Sequence, residues 1–401
     1  MTAVEHGALL MLIVGAATML ALASARVGAA LFIPAPALFL AGAIVVATVA
    51  PGLRISLPYA QQAVGIALAL ILFHGGMGIG VQRLRGVARA IVWLGIVGTA
   101  ATALGLALTA HYLFGFAWMP ALLLGTALSP TDPAVVFSVL GGRQVEGRTG
   151  TLLEGESGAN DPVGIALMAA LLLGGGWAHG LLEFTLQLAI GGAIGVAGGL
   201  ALGWLMRAVP LPDTGMYPLR VLAGALVIYG TGTVAHGSGF LAVFVAGIVI
   251  GDVRAPYKKE VEHFASSVAG LAEIVAFVLL GLTIRLPDLA SPQVWGTGLA
   301  IAAILTFVLR PGLVGLVLWP LSLLRNERVF VLWCGLKGAV PILLGTFIAT
   351  STVDEHERLY GIVVVVVTFS VLVQGGLVPL VARRCGLVGV GDAEPAGPAD
   401  H

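Results

Sequence analysis

Two stretches place acids, hydroxyls and an amide close together inside otherwise apolar sequence: Ser129-Pro-Thr-Asp-Pro133 and Glu156-Ser-Gly-Ala-Asn-Asp161. Glu156 and Asn160 are four residues apart, as are Ser157 and Asp161, so each pair is predicted to share a helix face. Side-chain oxygens of this kind suit a small hard cation, and Asp161 can take up a proton in its place. Pro130 and Pro133 each remove a backbone donor and push the preceding residue out of the helical region. Thr131 and Asp132 are thus bracketed by two breaks. Asp132-Pro133 reads as an N-cap followed by proline at the first helical position, so a half-helix starts there with an acid at its positive end.

Cations come from two later stretches. Arg310 lies in Thr306-Phe-Val-Leu-Arg-Pro-Gly312, deep enough in apolar sequence to need a counter-ion. Lys337 lies in Trp333-Cys-Gly-Leu-Lys-Gly-Ala-Val-Pro341, where Gly338 and Pro341 are predicted to break the helix. Lys337 would then sit at the negative end of a half-helix. Glu273, in Ala272-Glu-Ile-Val-Ala-Phe277, fits either a site acid or one half of a structural ion pair. Cys334 and Cys385 have no ligand spacing, which rules out a zinc site or a disulfide framework.

Composition dictates what carries these groups. Of 401 residues, 58% are hydrophobic and only 10% charged, with a mean hydropathy of +1.03. Soluble domains carry about 25% charged residues. The chain reads as an all-α polytopic membrane protein. The 20 Lys+Arg balance the 20 Asp+Glu with no basic block, which gives no footing for nucleic acid. A crossing helix needs about 20 mostly apolar residues, and thirteen segments qualify: 7–25, 28–49, 59–80, 87–110, 116–140, 149–174, 180–205, 217–235, 238–252, 263–284, 294–319, 329–349 and 358–382. Short polar connections join them, among them Val81–Gly86 and Gly142–Gly147. With the N-terminus outside, fifteen Lys and Arg fall on the cytoplasmic side. Only Arg54, Arg285 and Arg358 fall outside, the bias of the positive-inside rule.

Thirteen segments permit two inverted six-helix repeats, about 7–174 and 217–382, joined by a linker helix at 180–205. The transmembrane domain then covers residues 1–384, and 385–401 form a short cytoplasmic tail. The fifth and twelfth segments are both interrupted by proline at mid-membrane. Paired interruptions in corresponding places of two halves point to a transporter's binding site.

Ser129-Pro-Thr-Asp-Pro133, Glu156-Ser157 with Asn160-Asp161, and Gly335-Leu-Lys-Gly-Ala-Val-Pro341 together resemble the monovalent cation/proton antiporter superfamily. The likeness is closer to its sodium/proton exchanger branch, which has Asn-Asp where the electrogenic branch has Asp-Asp. The resemblance covers roughly residues 8–384. It implies inverted repeats, crossing broken helices and a homodimer in the lipid of the plasma membrane, working by elevator-like alternating access. It further implies that Asp161 is the shared carrier of proton and cation, with Ser157, Asp132 and the main chain of Thr131 as cation ligands. Glu156 resembles the acid that pairs with the base of the eleventh helix, here Arg310, and Asn160 looks structural. The family motif usually carries arginine where this chain has Lys337, a point charge and not a bidentate fork.

The function expected is exchange of Na⁺ for H⁺, electroneutral, by competition at Asp161, with K⁺/H⁺ exchange as the alternative. No cofactor is implied beyond the transported ions, and the chain is not expected to be an enzyme. An intramembrane aspartyl protease, using Asp132 and Asp161, is the remote alternative; its Gly-x-Gly-Asp type motif is absent.

Overall fold

The computed structural model describes residues 34–140, 148–319 and 323–387, with positions 8, 11, 12, 15, 16 and 19 of the first predicted segment, and every regular element among them is helical. The rest of that segment, Arg26, the connection at 142–147 with Arg143, and the tail beyond residue 387 lie outside the described residues.

Helix α1 (Ala35–Val49) leads to α2 (Leu57–Val92), which continues through a π-helical stretch (Trp93–Gly98) into α3 (Thr99–Phe114). The polar connection predicted at Val81–Gly86 is instead helical. The break is confined to Gly80, whose φ of 61° and ψ of 168° are non-helical. Asp252 starts the next turn at once, accepting the Gln82 N–H at 2.6 Å. A side-chain cap at the break removes the need for a loop.

The chain then forms α4 (Trp118–Ala127), α5 (Pro133–Val139), α6 (Arg148–Leu173), α7 (Trp177–Ala208), α8 (Met216–Val234) and α9 (Gly239–Gly251). After α10 (Lys258–Thr283) come α11 (Pro292–Ile304) and a second π-helical stretch (Leu305–Val314). The last elements are α12 (Arg325–Trp333), α13 (Ala339–Ala349), α14 (His356–Phe369), a π-helical turn (Ser370–Gln374) and α15 (Val378–Cys385).

Among the described residues, five continuous stretches are long and apolar enough to cross a membrane: Leu57–Phe114, Trp177–Ala208, Lys258–Thr283, Pro292–Leu318 and His356–Gln374. At 1.5 Å per residue a helix of the length of α6 spans about 39 Å, so α6 can cross too, carrying its acids with it. Small residues set the closest helix approaches. A methyl on Gly76 of α2 would strike the Phe244 carbonyl of α9, and one on Gly247 would strike the Phe73 carbonyl of α2. Without a hydrophobic driving force between helices in lipid, such close backbone packing is what holds them together.

The fifth and twelfth predicted segments each divide into two half-helices, α4/α5 and α12/α13. The first break falls at Leu128–Asp132, where the prolines placed it. The second falls at Cys334–Gly338, ahead of Pro341. Pro341 therefore does not break the helix. It occupies the first turn of α13 (Ala339–Ala349), where a missing N–H leaves no intrahelical bond unmade.

Candidate functional site

The two breaks meet. The Asp132 N–H donates to the Leu336 carbonyl at 2.8 Å, joining one unwound stretch directly to the other. Unwound backbone buried among helices must find partners for its N–H and C=O groups, and at this crossing most are visible. Lys337 Nζ donates to the carbonyls of Ser129 and Pro130 at 3.1 and 3.0 Å. The Thr131 N–H donates to Asn160 Oδ1 at 3.3 Å, and Asn160 Nδ2 donates to Thr131 Oγ1 at 2.8 Å. Ser157 Oγ donates to the Thr131 carbonyl at 2.6 Å. Arg310 donates through Nε to the Leu332 carbonyl at 2.9 Å and through Nη2 to that of Val331 at 3.0 Å, serving the end of α12.

The half-helix ends give the crossing its electrostatics. Asp132 is the N-cap of α5, its side chain accepting the Ala134 N–H at 2.9 Å, with Pro133 as the first helical residue. It also lies against the start of α13, since a methyl on Gly338 would overlap its carboxylate. One acid thus sits at two positive helix ends. Lys337 serves the negative side, but the carbonyls it meets follow α4 on the other broken helix. Spacing along the chain shows the end of its own half-helix and not the element that crosses it.

Glu156 and Arg310 are brought together. Nη2 of Arg310 is 3.0 Å from Oε1 of Glu156 and 3.3 Å from Oε2, with both side chains 5% exposed. Burial at this level excludes a guanidinium that snorkels to the interface. On α6 the residues that meet the first break are Ser157 and Asn160, three apart, while Glu156 turns to Arg310.

Asp161 differs from its neighbours. It is 6% exposed, and its Oδ1 is buried without a hydrogen-bond partner. Asp132 and Lys337 are the charged groups that act on it. A buried carboxylate oxygen without a donor is costly unless something binds there. A cation or a proton at that oxygen removes the cost. The donor set at hand, Asp161, Asp132, Ser157 Oγ and the Thr131 carbonyl, consists of hard oxygens, which fits an alkali cation. Glu273 on α10 is half-buried. The charge that acts on it is Asp132, and among the described residues no cation pairs with it.

Sequence reasoning missed Ser370 and Gln374. Both are buried and both bond to the second break. Their signal was a serine and an amide within the apolar run that follows Ile362, where neutral polar groups need partners as charges do.

Residues 9–384 match the family described as sodium/hydrogen exchanger, transmembrane. The chain belongs to that family. Among exchanger relatives, the K(+)/H(+) antiporter NhaP of Alkalimonas amylolytica is 35% identical over 329 residues, 79% of this chain and 56% of that protein. The Na(+)/H(+) antiporter NhaH of Halobacillus aidingensis is 31% identical over 318 residues, 75% of this chain and 77% of that one. The chain spans about half the length of the K(+)/H(+) antiporter relatives it matches, 56% in each of two cases. The solved structure of the sodium proton antiporter MjNhaP1 from Methanocaldococcus jannaschii shares the fold, with a TM-score of 0.78 over 95% of this chain and 98% of that one, at 21% identity. This exchanger-family chain is a multi-pass membrane protein built around crossing broken helices.

Proposed function

We propose that the chain is a secondary active transporter, not an enzyme, that exchanges a monovalent cation for H⁺ by alternating access. The observation that carries this reading is the buried, unpartnered Oδ1 of Asp161 beside two broken helices. One carboxylate binds a proton or a cation but not both, and competition there couples the two fluxes. Asp132, Ser157 and Thr131 complete the cation's coordination. Asn160 and Lys337 hold the first break in shape, and Glu156 with Arg310 joins α6 to the end of α12. The positive-inside bias supports a plasma-membrane protein with its N-terminus outside and its C-terminus cytoplasmic. The family supports a homodimer with inverted repeats. As for protease chemistry, Asp132 is engaged as the cap of α5, and among the described residues no hydrogen bond joins it to Asp161.

Na⁺ is the leading cation, in keeping with the sodium/proton branch the motifs resemble. K⁺ is the second reading, favoured by relatives of 32–35% identity named K(+)/H(+) antiporters. Reconstitution in liposomes with a pH gradient, adding Na⁺, K⁺ and Li⁺ separately, tests both. Internal pH should respond to at least one of Na⁺ and K⁺. No response to any of the three would overturn the exchange reading.

Exchange should be electroneutral. Asn160 cannot titrate, and Glu156 is committed to Arg310 at 3.0 Å, so only Asp161 changes its occupant. The loaded carrier then crosses with the same charge in either direction. A membrane potential set by a permeant-anion gradient, with no cation or pH gradient, should drive no pH change. Potential-driven flux would show that a second group, such as Asp132 coupled to Asp161, also titrates.

Gly338→Ala should reduce exchange to about a tenth or less, because the added methyl and the Asp132 carboxylate claim the same space. A methyl must displace either the acid or the start of α13, a geometric shift of the size that costs sites on the order of 10²-fold. Proteoliposome exchange within twofold of wild type would show that Asp132 does not need its place against α13.

A further inference from the structure

Past Cys334, whose N–H still donates to the Phe330 carbonyl at 2.9 Å, the second break leans on neighbouring elements. Its backbone between Trp333 and Gly338 is held from outside, and two of the groups that hold it lie on a single π-helical turn, Ser370–Gln374. Ser370 Oγ accepts the Lys337 N–H at 2.8 Å and donates to Gln374 Oε1 at 3.0 Å. Gln374 Nε2 donates to the Trp333 carbonyl at 2.7 Å, and the Gln374 carbonyl accepts Trp333 Nε1 at 3.3 Å. Thr306 Oγ1 reaches Gln374 Oε1 at 3.5 Å from the π-helical stretch that carries Arg310. Ser370 and Gln374 are 2% and 3% exposed, so losing these bonds would leave buried polar groups short of partners. The wide turn matters, because π-bulges re-aim side chains and recur at functional sites.

The chain of contacts is continuous. Gln374 fixes Trp333 at the end of α12 and orients the Ser370 hydroxyl. Ser370 fixes the backbone of Lys337. Lys337 holds the carbonyls of Ser129 and Pro130, the two residues before Thr131 and Asp132. A shift of the Lys337 backbone therefore moves the first break, including the Thr131 carbonyl. We propose that Ser370 and Gln374 are positioning residues of the cation site, setting the affinity for the transported cation through Lys337 without touching it. This rests on the crossing being the exchange site.

The test is cation-dependent exchange in proteoliposomes, read as separate KM and Vmax, for wild type, Ser370→Ala, Ser370→Cys, Ser370→Thr and Gln374→Met. Ser370→Ala and Gln374→Met should raise the cation KM at least fivefold with Vmax within twofold of wild type. Ser370→Thr keeps the hydroxyl and should return KM to within twofold. Ser370→Cys matches serine in size and accepts poorly, so it should reproduce the KM increase and decides the matter if the alanine variant does not fold. A purely structural role would lower Vmax and thermal stability and leave KM alone. Unchanged KM in Ser370→Cys or Ser370→Ala, or a threonine variant as impaired as alanine, overturns the proposal. Wild type inert toward Na⁺, K⁺ and Li⁺ would instead overturn the exchange reading on which it rests.

Discussion

Asp161→Asn is expected to leave a protein that inserts and folds normally but exchanges nothing. The amide is nearly the same size as the acid, and the position is 6% exposed, so packing is kept while charge is removed. Asn can neither release a proton nor neutralise a cation. The Oδ1 that lacks a donor in the wild-type protein becomes an amide group in an otherwise unchanged pocket. Flux should fall to the background of empty liposomes, with the elution volume and unfolding temperature in detergent unchanged. Residual exchange above a quarter of wild type corresponds to a barrier change of only about 0.8 kcal/mol. That outcome would show that Asp161 is not the shared carrier.

The largest effect on stability is expected at Arg310. Arg310→Ala removes the counter-ion of Glu156, whose side chain is 5% exposed, and the donors that serve Val331 and Leu332 at the end of α12. Stranding a buried charge costs roughly 3–5 kcal/mol. Lys337→Ala should cost less, because Lys337 is bonded to two carbonyls and to no carboxylate among the described residues. Leaving a buried acceptor unsatisfied costs about 1–3 kcal/mol. Thermal unfolding in detergent should rank Arg310→Ala below Lys337→Ala. Replacing both ions, as in Glu156→Leu with Arg310→Met, should recover much of the loss, since an apolar pair of similar volume often matches a buried ion pair. A milder effect at Arg310 than at Lys337 would contradict the weight placed on the Glu156–Arg310 pair.

Legibility in the sequence followed the strength of the local constraint. The first break was readable because Pro130 and Pro133 act on their own neighbours, and Asp132 caps α5 as its place before Pro133 implies. The residues alone showed only that Arg310 needs a counter-ion inside a membrane; its pairing with Glu156 came from the family resemblance, and the structure brings the two together. The second break was misattributed in part, since proline at Pro341 is as compatible with a first helical turn as with a kink. The helical path through 81–86 was hidden because its cap, Asp252, lies far along the chain. The same distance hid the target of Lys337. Ser370 and Gln374 were invisible for another reason: neutral polar residues in an apolar helix give no sign of which backbone they support. Glu273 was left open by its sequence context, and the structure leaves it half-buried, under the charge of Asp132 and without a cationic partner among the described residues.

Competition at Asp161 is the central claim, and proton release on cation binding tests it most directly. A cation that takes the place of a proton must expel it. Purified protein in weakly buffered detergent solution would receive saturating Na⁺ or K⁺, with released H⁺ and bound cation measured together across the pH range in which wild type exchanges. Release should peak at one proton per cation bound, and Asp161→Asn should show neither release nor binding. Cation binding with no proton released at any pH, or proton release that persists in Asp161→Asn, would contradict it.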